Sequence, residues 1–337
     1  MFLGVEIGGT KLQLGVGHGD GRPLVALDRL RVQPEHGAEG IRRQIAETAR
    51  PLIERYAVKA VGFGFGGPVD TARGVTITSH QIDGWKNFPL ADWGRDTFGL
   101  PALVTNDSDS AGLAEARFGG GHGHRVVFYS NVGSGIGGAL VIDGQLYPGG
   151  RGVASELGHL RPGLECQRAD QTVESLASGW GITAAVRQRL TDRLPTDQPG
   201  ADDLLERCGG QISQVTTQLV AQAATAGNRL ALDALDRACR VYGWGLAQML
   251  TLVAPNVVVL GGGVSLIGEE LWLRPLRAYV RQYAFPPLVD TIELVPAKLG
   301  EEVVVYGVLA LAAEAEESPP RTEESGQPSA ISVTTQS

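Results

Sequence analysis

The stretch Met1-Phe-Leu-Gly-Val-Glu-Ile-Gly-Gly-Thr-Lys-Leu-Gln-Leu-Gly-Val16 decides the fold. An apolar run leads into the pair Gly8-Gly9, and apolar residues then alternate with other residue types as far as Val16. This pattern predicts a β-hairpin with one buried face. Glycine permits the tight turn and lets two backbone N–H groups approach a ligand, because it has no Cβ.

Polar groups lie around this turn. Glu6 ends the first strand, Thr10 adds a hydroxyl group and Lys11 adds a cation. A turn with bare amides, a hydroxyl and a carboxylate suits a phosphate and its metal ion. Taken alone, the stretch is explained equally well as an ordinary hairpin with a glycine turn, so the phosphate hypothesis depends on the rest of the chain.

A second stretch, residues 126–144, repeats the plan of strand, glycine turn and strand around Gly133-Ser-Gly-Ile-Gly-Gly138. Two such units predict an internal duplication, with one hairpin in each of two lobes and a polyphosphate held between them. The second turn also matches the dinucleotide fingerprint G-x-G-x-x-G, which requires a helix after it. Here a short apolar strand follows and ends at the hairpin-turn pair Asp143-Gly144, so we reject a dinucleotide site.

Bulk composition narrows the class of protein. A chain of 337 residues is long enough for two lobes with separate cores, and its net charge of −8 argues against a nucleic-acid partner. No apolar run approaches the roughly 20 residues of a membrane span, and no basic signal-peptide segment precedes the first strand. Three widely spaced cysteines indicate reduced thiols. We expect a cytoplasmic protein without a membrane partner.

The order of the other elements fits two α/β halves. In the first half we predict a third strand over 24–32, helices over 39–57 and 90–97, strands over 60–65 and 103–105, and a helix that starts at 106. In the second half, after the repeated hairpin, we predict helices over 173–190, 202–252 and 304–316 and strands over 257–260 and 293–296. Residues 317–337 lack apolar spacing and are expected to be disordered.

Eight motifs in order resemble the ROK sugar kinases, the bacterial glucokinase group of the two-lobed actin-like/hexokinase-like (ribonuclease H-like) α/β fold. They are Glu6-Ile-Gly-Gly-Thr-Lys11, Gly66-Gly-Pro-Val-Asp70, Gly84-Trp-Lys-Asn-Phe-Pro89, Thr105-Asn-Asp107, Gly133-Ser-Gly-Ile-Gly-Gly138, Glu156-Leu-Gly-His159, Glu174-Ser-Leu-Ala-Ser-Gly179 and Gly261-Gly-Gly263. No single motif is specific, but their order covers nearly all of the chain. The expected lobes are residues 1–118 with a C-terminal helix at about 300–316, and residues 119–299.

The resemblance implies ATP-dependent phosphorylation of a hexose at its 6-hydroxyl, with glucose the leading substrate. Such a transfer needs positioning, charge neutralisation and one carboxylate that takes the hydroxyl proton. Asp107 matches the catalytic base; the plainer alternative is that it only caps the helix that follows. The residues that would contact the sugar are Gly67, Gln81, Asn106, Gly138, Glu156, His159 and Glu174. Those that would line ATP are Gly8, Gly9, Thr10, Lys11, Gly133, Ser134, Gly135, Gly262 and Gly263, and Glu6 would approach Mg²⁺ through water.

Two departures from the family pattern affect these expectations. The zinc loop between His159 and Glu174 retains only Cys166, and Thr172 stands where the last cysteine belongs. One thiol and one imidazole do not form a structural tetrahedral site, so we predict no zinc. In the sugar pocket, Ser79-His-Gln-Ile82 replaces the usual S-P-N-L, and Glu6 replaces the usual aspartate.

Other functions remain open at this stage. An N-acetylhexosamine kinase, acting on N-acetylmannosamine or N-acetylglucosamine, could use the same site residues. A sugar-sensing repressor of the same family would carry a DNA-binding domain before the first strand and a basic surface. Here the first strand begins at Phe2 and the net charge is −8, so we expect a repressor less than a kinase. A non-catalytic sugar-binding protein is the third alternative. The family habit of dimers is the reason to expect a homodimer.

Overall fold

The computed structural model describes residues 1–79, 81–192 and 199–317. The first half contains β1 (Phe2–Ile7), β2 (Lys11–Gly17), β3 (Ala26–Arg31), α1 (Gly37–Tyr56), β4 (Val61–Phe65), β5 (Val69–Asp70), β6 (Val75–Thr76), α2 (Leu90–Phe98), β7 (Ala102–Asn106) and α3 (Asp107–Phe118). The predicted tail over 317–337 lies, apart from its first residue, outside the described residues. No described helix is long and apolar enough to cross a membrane.

The second half contains β8 (Val126–Val132), β9 (Ile136–Ile142), β10 (Gln145–Leu146), α4 (Val173–Ala177), α5 (Gly179–Thr191), α6 (Ala201–Arg207), α7 (Thr217–Thr225), α8 (Arg229–Val253), β11 (Val257–Gly261), α9 (Arg274–Tyr283), β12 (Leu294–Pro296) and α10 (Val303–Glu317). The helix predicted over 173–190 is divided at Ser178, whose hydroxyl caps α5 by accepting a hydrogen bond from the Gly181 amide.

Two five-stranded sheets share one topology, which confirms the predicted duplication. The first has the order β3-β2-β1-β4-β7 and the second has the order β10-β9-β8-β11-β12. In each sheet an antiparallel hairpin carries a third antiparallel strand on one side and two parallel strands on the other. The carboxyl ends of the parallel strands and the hairpin turns therefore meet at one edge of each sheet.

Helix α10 packs closely on one face of the first sheet, because glycine residues of the strands leave room for its side chains and backbone. A Cβ on Gly4 would lie 2.9 Å from Val308, one on Gly15 2.6 Å from Val305, and one on Gly62 2.6 Å from the Val308 carbonyl oxygen. The other face of this sheet packs with α1 and α2. The prediction that the first hairpin buries one face is therefore wrong for β1 and β2, because helices cover both faces of each strand.

Helix α3 lies against the second sheet and also against α10. Apolar residues of α3 pack with residues of β8, β9 and β11, and the opposite face of that sheet forms the larger core with α4, α5 and α8. A Cβ on Gly307 of α10 would fall 2.0 Å from the Ser110 carbonyl oxygen of α3. The two helices thus stand in close contact between the sheets. The lobe boundary at 118/119 stays a prediction.

Candidate active site

Asn106 and Asp107 stand at the junction between β7 and α3. The Asn106 side chain caps α3 through its Oδ1, which accepts from the amides of Ser108 (2.8 Å) and Asp109 (3.2 Å). Its Nδ2 donates to the Gly67 carbonyl oxygen at 3.0 Å. One amide side chain therefore fixes the start of α3 against the glycine turn after β4.

Asp107 lies beside that turn and is partly buried. A Cβ on Gly66 would sit 3.4 Å from Asp107 Oδ2 and 3.5 Å from the Cα of Gly8. Burial raises the pKa of Asp107 to about 6; hydrogen bonds from Ser108 act the opposite way, and the charge of Glu156 adds to the rise. The group is therefore ionised for the most part at neutral pH and still basic enough to accept a proton.

Three further carboxylates approach Asp107. Burial raises the pKa of Glu6, with the Asp107 charge adding to the effect, and burial together with the Glu174 charge raises the pKa of Glu156. Burial, Glu156 and Asp107 raise the pKa of Asp109 to about 7. Asp109 was not among the predicted site residues. Its position two residues after Asp107, in the first turn of the same helix, is the sequence signal that would have identified it.

Two acceptors fix the residues around the first glycine turn: the Glu6 carboxylate and the Glu301 carbonyl oxygen. Glu6 Oε1 pairs with Lys11 Nζ at 3.3 Å and Glu6 Oε2 accepts from Gln13 Nε2 at 2.7 Å. Lys11 Nζ (3.2 Å) and Gln13 Nε2 (2.9 Å) also donate to the carbonyl oxygen of Glu301. The Lys11 ammonium group is thus bound to protein oxygens, whereas the neighbouring Thr10 is exposed.

Gln81 reaches this same turn. A Cβ built on Gly9 would fall 1.6 Å from Gln81 Oε1, so the amide occupies the space that any other residue would fill. Position 9 must therefore be glycine for Gln81 to lie there. Gln81 was predicted to contact sugar, and its carboxamide lies against the turn that was predicted to bind phosphate.

Glu174 holds the second glycine turn. Its Oε2 accepts from the Ile136 amide at 2.8 Å, and a Cβ on Gly135 would fall 2.4 Å from the same oxygen. The helix that carries Glu174 starts at Val173, and its N-cap Thr172 forms a reciprocal capping box with Ser175. The residue that stands at the position of a zinc-loop cysteine thus stabilises α4 as a helix cap.

Glu156 and His159 lie in the segment after Ser155, which packs against Gly138 of β9. His159 Nε2 stands 3.8 Å from Glu156 Oε2, and the histidine side chain is 70 % exposed. A Cβ on Gly138 would meet the Ser155 carbonyl oxygen at 2.5 Å, so β9 packs tightly against the segment before Glu156. Among the described residues no group of three His, Cys, Asp or Glu side chains is arranged to hold a metal ion.

A cavity of about 860 Å³ opens next to the second glycine turn. Its lining includes three of the predicted nucleotide residues, Gly133, Ser134 and Gly263, together with Trp180, Thr183 and Leu266. Gly262 adjoins it with a φ of 85°, and a Cβ there would fall 2.4 Å from the Val132 carbonyl oxygen. Trp180 was missed in the sequence. It is 52 % exposed at the first turn of α5, and in the sequence its only signal is an aromatic residue directly after Ser178-Gly179.

The predicted residues therefore fall into two adjoining groups. Asp107 lies with Asn106, Gly67, Gly8, Glu6, Glu156 and Glu174, and the cavity holds Gly133, Ser134 and Gly263. Two further side chains adjoin the first group through its carboxylates: Lys11 pairs with Glu6 and His159 stands 3.8 Å from Glu156. Lys11 also donates to the Glu301 carbonyl oxygen, and His159 extends toward solvent.

Comparison with known proteins agrees with this arrangement. The family profile described as ROK family matches residues 2–315. A glucokinase of Streptomyces coelicolor is 32 % identical over 322 residues, which are 93 % of this chain and 98 % of that one. A glucokinase of Thermotoga maritima is 30 % identical over 318 residues, 93 % of this chain and 97 % of that one.

A solved structure extends the likeness to three dimensions. The ROK glucokinase of Streptomyces griseus in complex with glucose and AMPPNP has a TM-score of 0.78 and 33 % identity, covering 93 % of this chain and 99 % of that one. The predicted two-lobed hexokinase-like α/β fold is thereby confirmed. This chain belongs to the ROK family.

Proposed function

We propose that this protein is a glucokinase that transfers the γ-phosphoryl group of ATP to the 6-hydroxyl of glucose. The observation that carries the proposal is the position of Asp107, a partly buried carboxylate beside the Gly8 and Gly66 turns, whose neighbour Ser108 lies 3.1 Å from Asn131 of the second sheet. Relatives named glucokinase, at 30 % and 32 % identity over nearly the whole chain, support glucose as the substrate.

In the proposed reaction Asp107 accepts the proton of the 6-hydroxyl as that oxygen bonds to the γ-phosphorus. The bond from phosphorus to the β,γ-bridging oxygen breaks, and ADP leaves with its electron pair. A pKa of about 6 keeps Asp107 ionised at pH 7 and able to take the proton. Asn106 orients Asp107 because it fixes the first turn of α3.

The sugar would lie against Gly67, Asn106, Gly138, Glu156, His159 and Glu174, with Gln81 at the phosphate side. Carboxylates and amides suit a polyol because they pair with hydroxyl groups both as acceptors and as donors. Glu174 also fixes the second hairpin through the Ile136 amide. The same side chain would thereby join the sugar site to the nucleotide site.

ATP would occupy the cavity beside Gly133, Ser134 and Gly263, with its phosphates directed at Gly135, Gly262 and the first turn, Gly8 to Lys11. Exposed Trp180 offers a flat apolar surface for the base. Mg²⁺ would lie next to Glu6 and be held to it through water, with the phosphates of ATP supplying further oxygen ligands. When bound, the ion would neutralise phosphate charge. We further propose a cytoplasmic homodimer that needs no zinc.

A panel of sugars assayed with ATP and Mg²⁺ tests the proposal. We expect turnover on glucose to exceed that on N-acetylmannosamine, N-acetylglucosamine and fructose, with the phosphate on oxygen 6. Faster turnover of an acetamido sugar would replace glucose by an N-acetylhexosamine. No turnover of any sugar, together with tight sugar binding, would instead indicate a non-catalytic sugar-binding protein.

A further inference from the structure

Glu115 is a fully buried carboxylate that takes no part in the proposed chemistry. It lies in α3 eight residues after Asp107, roughly 12 Å farther along the helix axis. Its side chain accepts three backbone hydrogen bonds. Oε2 accepts from the Gly120 amide at 2.7 Å, and Oε1 accepts from the amides of Lys298 (2.9 Å) and Leu299 (2.8 Å).

These amides belong to the two segments by which the described chain passes between the sheets. The first runs from β7 through α3 and residues 119–125 to β8, and the second runs from β12 through residues 297–302 to α10. The two segments lie side by side, because a Cβ on Gly120 would sit 3.0 Å from the Pro296 carbonyl oxygen. Any rigid-body movement of one sheet relative to the other must be absorbed in these segments.

The second segment is also tied to the phosphate turn. Lys11 and Gln13 donate to the Glu301 carbonyl oxygen, two residues after the Leu299 amide that Glu115 holds. One chain of contacts therefore runs from Gly120 through Glu115 and residues 298–301 to Glu6. It joins α3, which carries Asp107, to the hairpin that would bind phosphate.

We infer that Glu115 is a positioning residue, which fastens both connections at one carboxylate and so sets the pivot for closure of the lobes on the sugar. The inference rests on the proposed function, since closure around a bound sugar is what the pivot would serve. Each carboxylate oxygen holds a different connection, so a group with a single acceptor oxygen cannot replace it. At full burial no water takes over a lost bond.

The test uses Glu115→Gln, which keeps the shape of the side chain. Its amide NH₂ must face one of the two connections, where it meets N–H donors and releases that segment. We expect hydrogen exchange at Gly120, or at Lys298 and Leu299, to be at least about tenfold faster than in the wild type. A second variant, Gly119→Ala, should act similarly, because its Cβ would fall 2.0 Å from Glu115 Oε2 and displace the carboxylate.

The control is Glu314→Gln. Glu314 of α10 pairs with Arg117 of α3 at 2.6 Å, so this variant also removes an ionic contact between the two helices, but the amides of Gly120, Lys298 and Leu299 keep Glu115 as their acceptor. We expect it to match the wild type. In Glu115→Gln the KM for glucose should rise about tenfold with little change in kcat, because the loosened pivot makes closure harder. Partial unfolding alone would lower the apparent kcat and leave KM unchanged.

Solution scattering with and without glucose measures closure directly. Compaction on adding glucose should be smaller in Glu115→Gln than in the wild type and in Glu314→Gln. Unchanged amide exchange in a folded Glu115→Gln protein would overturn the inference. So would faster exchange with unaltered compaction and unaltered KM. Failure of the wild type to phosphorylate glucose contradicts the proposed function only, since the exchange measurement does not depend on turnover.

Discussion

Lowering the pH from 7 to 5 is expected to slow the phosphorylation of glucose about tenfold through the protonation of Asp107. Burial holds the pKa of this group at about 6, with a further rise from Glu156. A group of pKa 6 is about 90 % ionised at pH 7 and about 10 % ionised at pH 5, and a general base acts only when it is ionised. The rate should therefore fall as the pH drops through 6 and level off above about pH 7.

The assay is kcat/KM for glucose at saturating MgATP between pH 5 and 8, because this ratio follows the ionisation of the protein before sugar binds; ADP release is coupled to a pH-tolerant detection. Asp107→Asn should lower this ratio at least about 100-fold at pH 7, the range given by loss of a general base. Asp143→Asn is the control, because Asp143 is an exposed partner of Arg125 away from the cleft. Protonation of ATP affects the rate of every variant equally, so it does not change the comparison between variants.

Asp109 provides the sharpest challenge to this assignment. It lies two residues away and its pKa is raised to about 7. Asp109→Asn should keep an acid limb near pH 6, because Asp107 remains. Disappearance of that limb in Asp109→Asn would refute the assignment of the base to Asp107, and so would an Asp107→Asn variant with more than about a tenth of wild-type activity.

Three further predictions concern stability and nucleotide binding. Asp109→Asn should raise the free energy of unfolding at pH 8 by up to about 4 kcal/mol, because the pKa of Asp109 is raised from 3.8 to about 7 in the folded state and the ionised carboxylate is penalised above that pH. Urea unfolding should show this gain vanish below about pH 4. Trp180→Ala should raise the KM for ATP about tenfold and leave the KM for glucose unchanged, since base stacking contributes ~1–3 kcal/mol; equal rises in both would contradict stacking. Gly307→Ala should lower the free energy of unfolding by about 1–3 kcal/mol, because its Cβ would overlap the Ser110 carbonyl oxygen; an unchanged urea midpoint would show that α3 and α10 are not tightly packed.

Much of the fold followed from local pattern. The two glycine hairpins, the third strand beside the first of them and the helix that starts at Asp107 were predicted within a few residues of their observed bounds. Such elements can be predicted because apolar spacing and turn residues act over a few positions. The extra buried face of β1 and β2 could not be predicted in this way, because it depends on α10, which follows nearly 300 residues later.

The sequence by itself determined that two equivalent hairpins exist and that the carboxylate of Asp107 directly follows a short strand, because repetition and residue type are local properties. Only the tertiary structure decided which acids share one environment, and hence the raised pKa values of Asp107 and Asp109, because desolvation and charge interactions depend on distance in space. It alone also brought Glu115 to the Lys298 and Leu299 amides, more than 180 positions away in the chain.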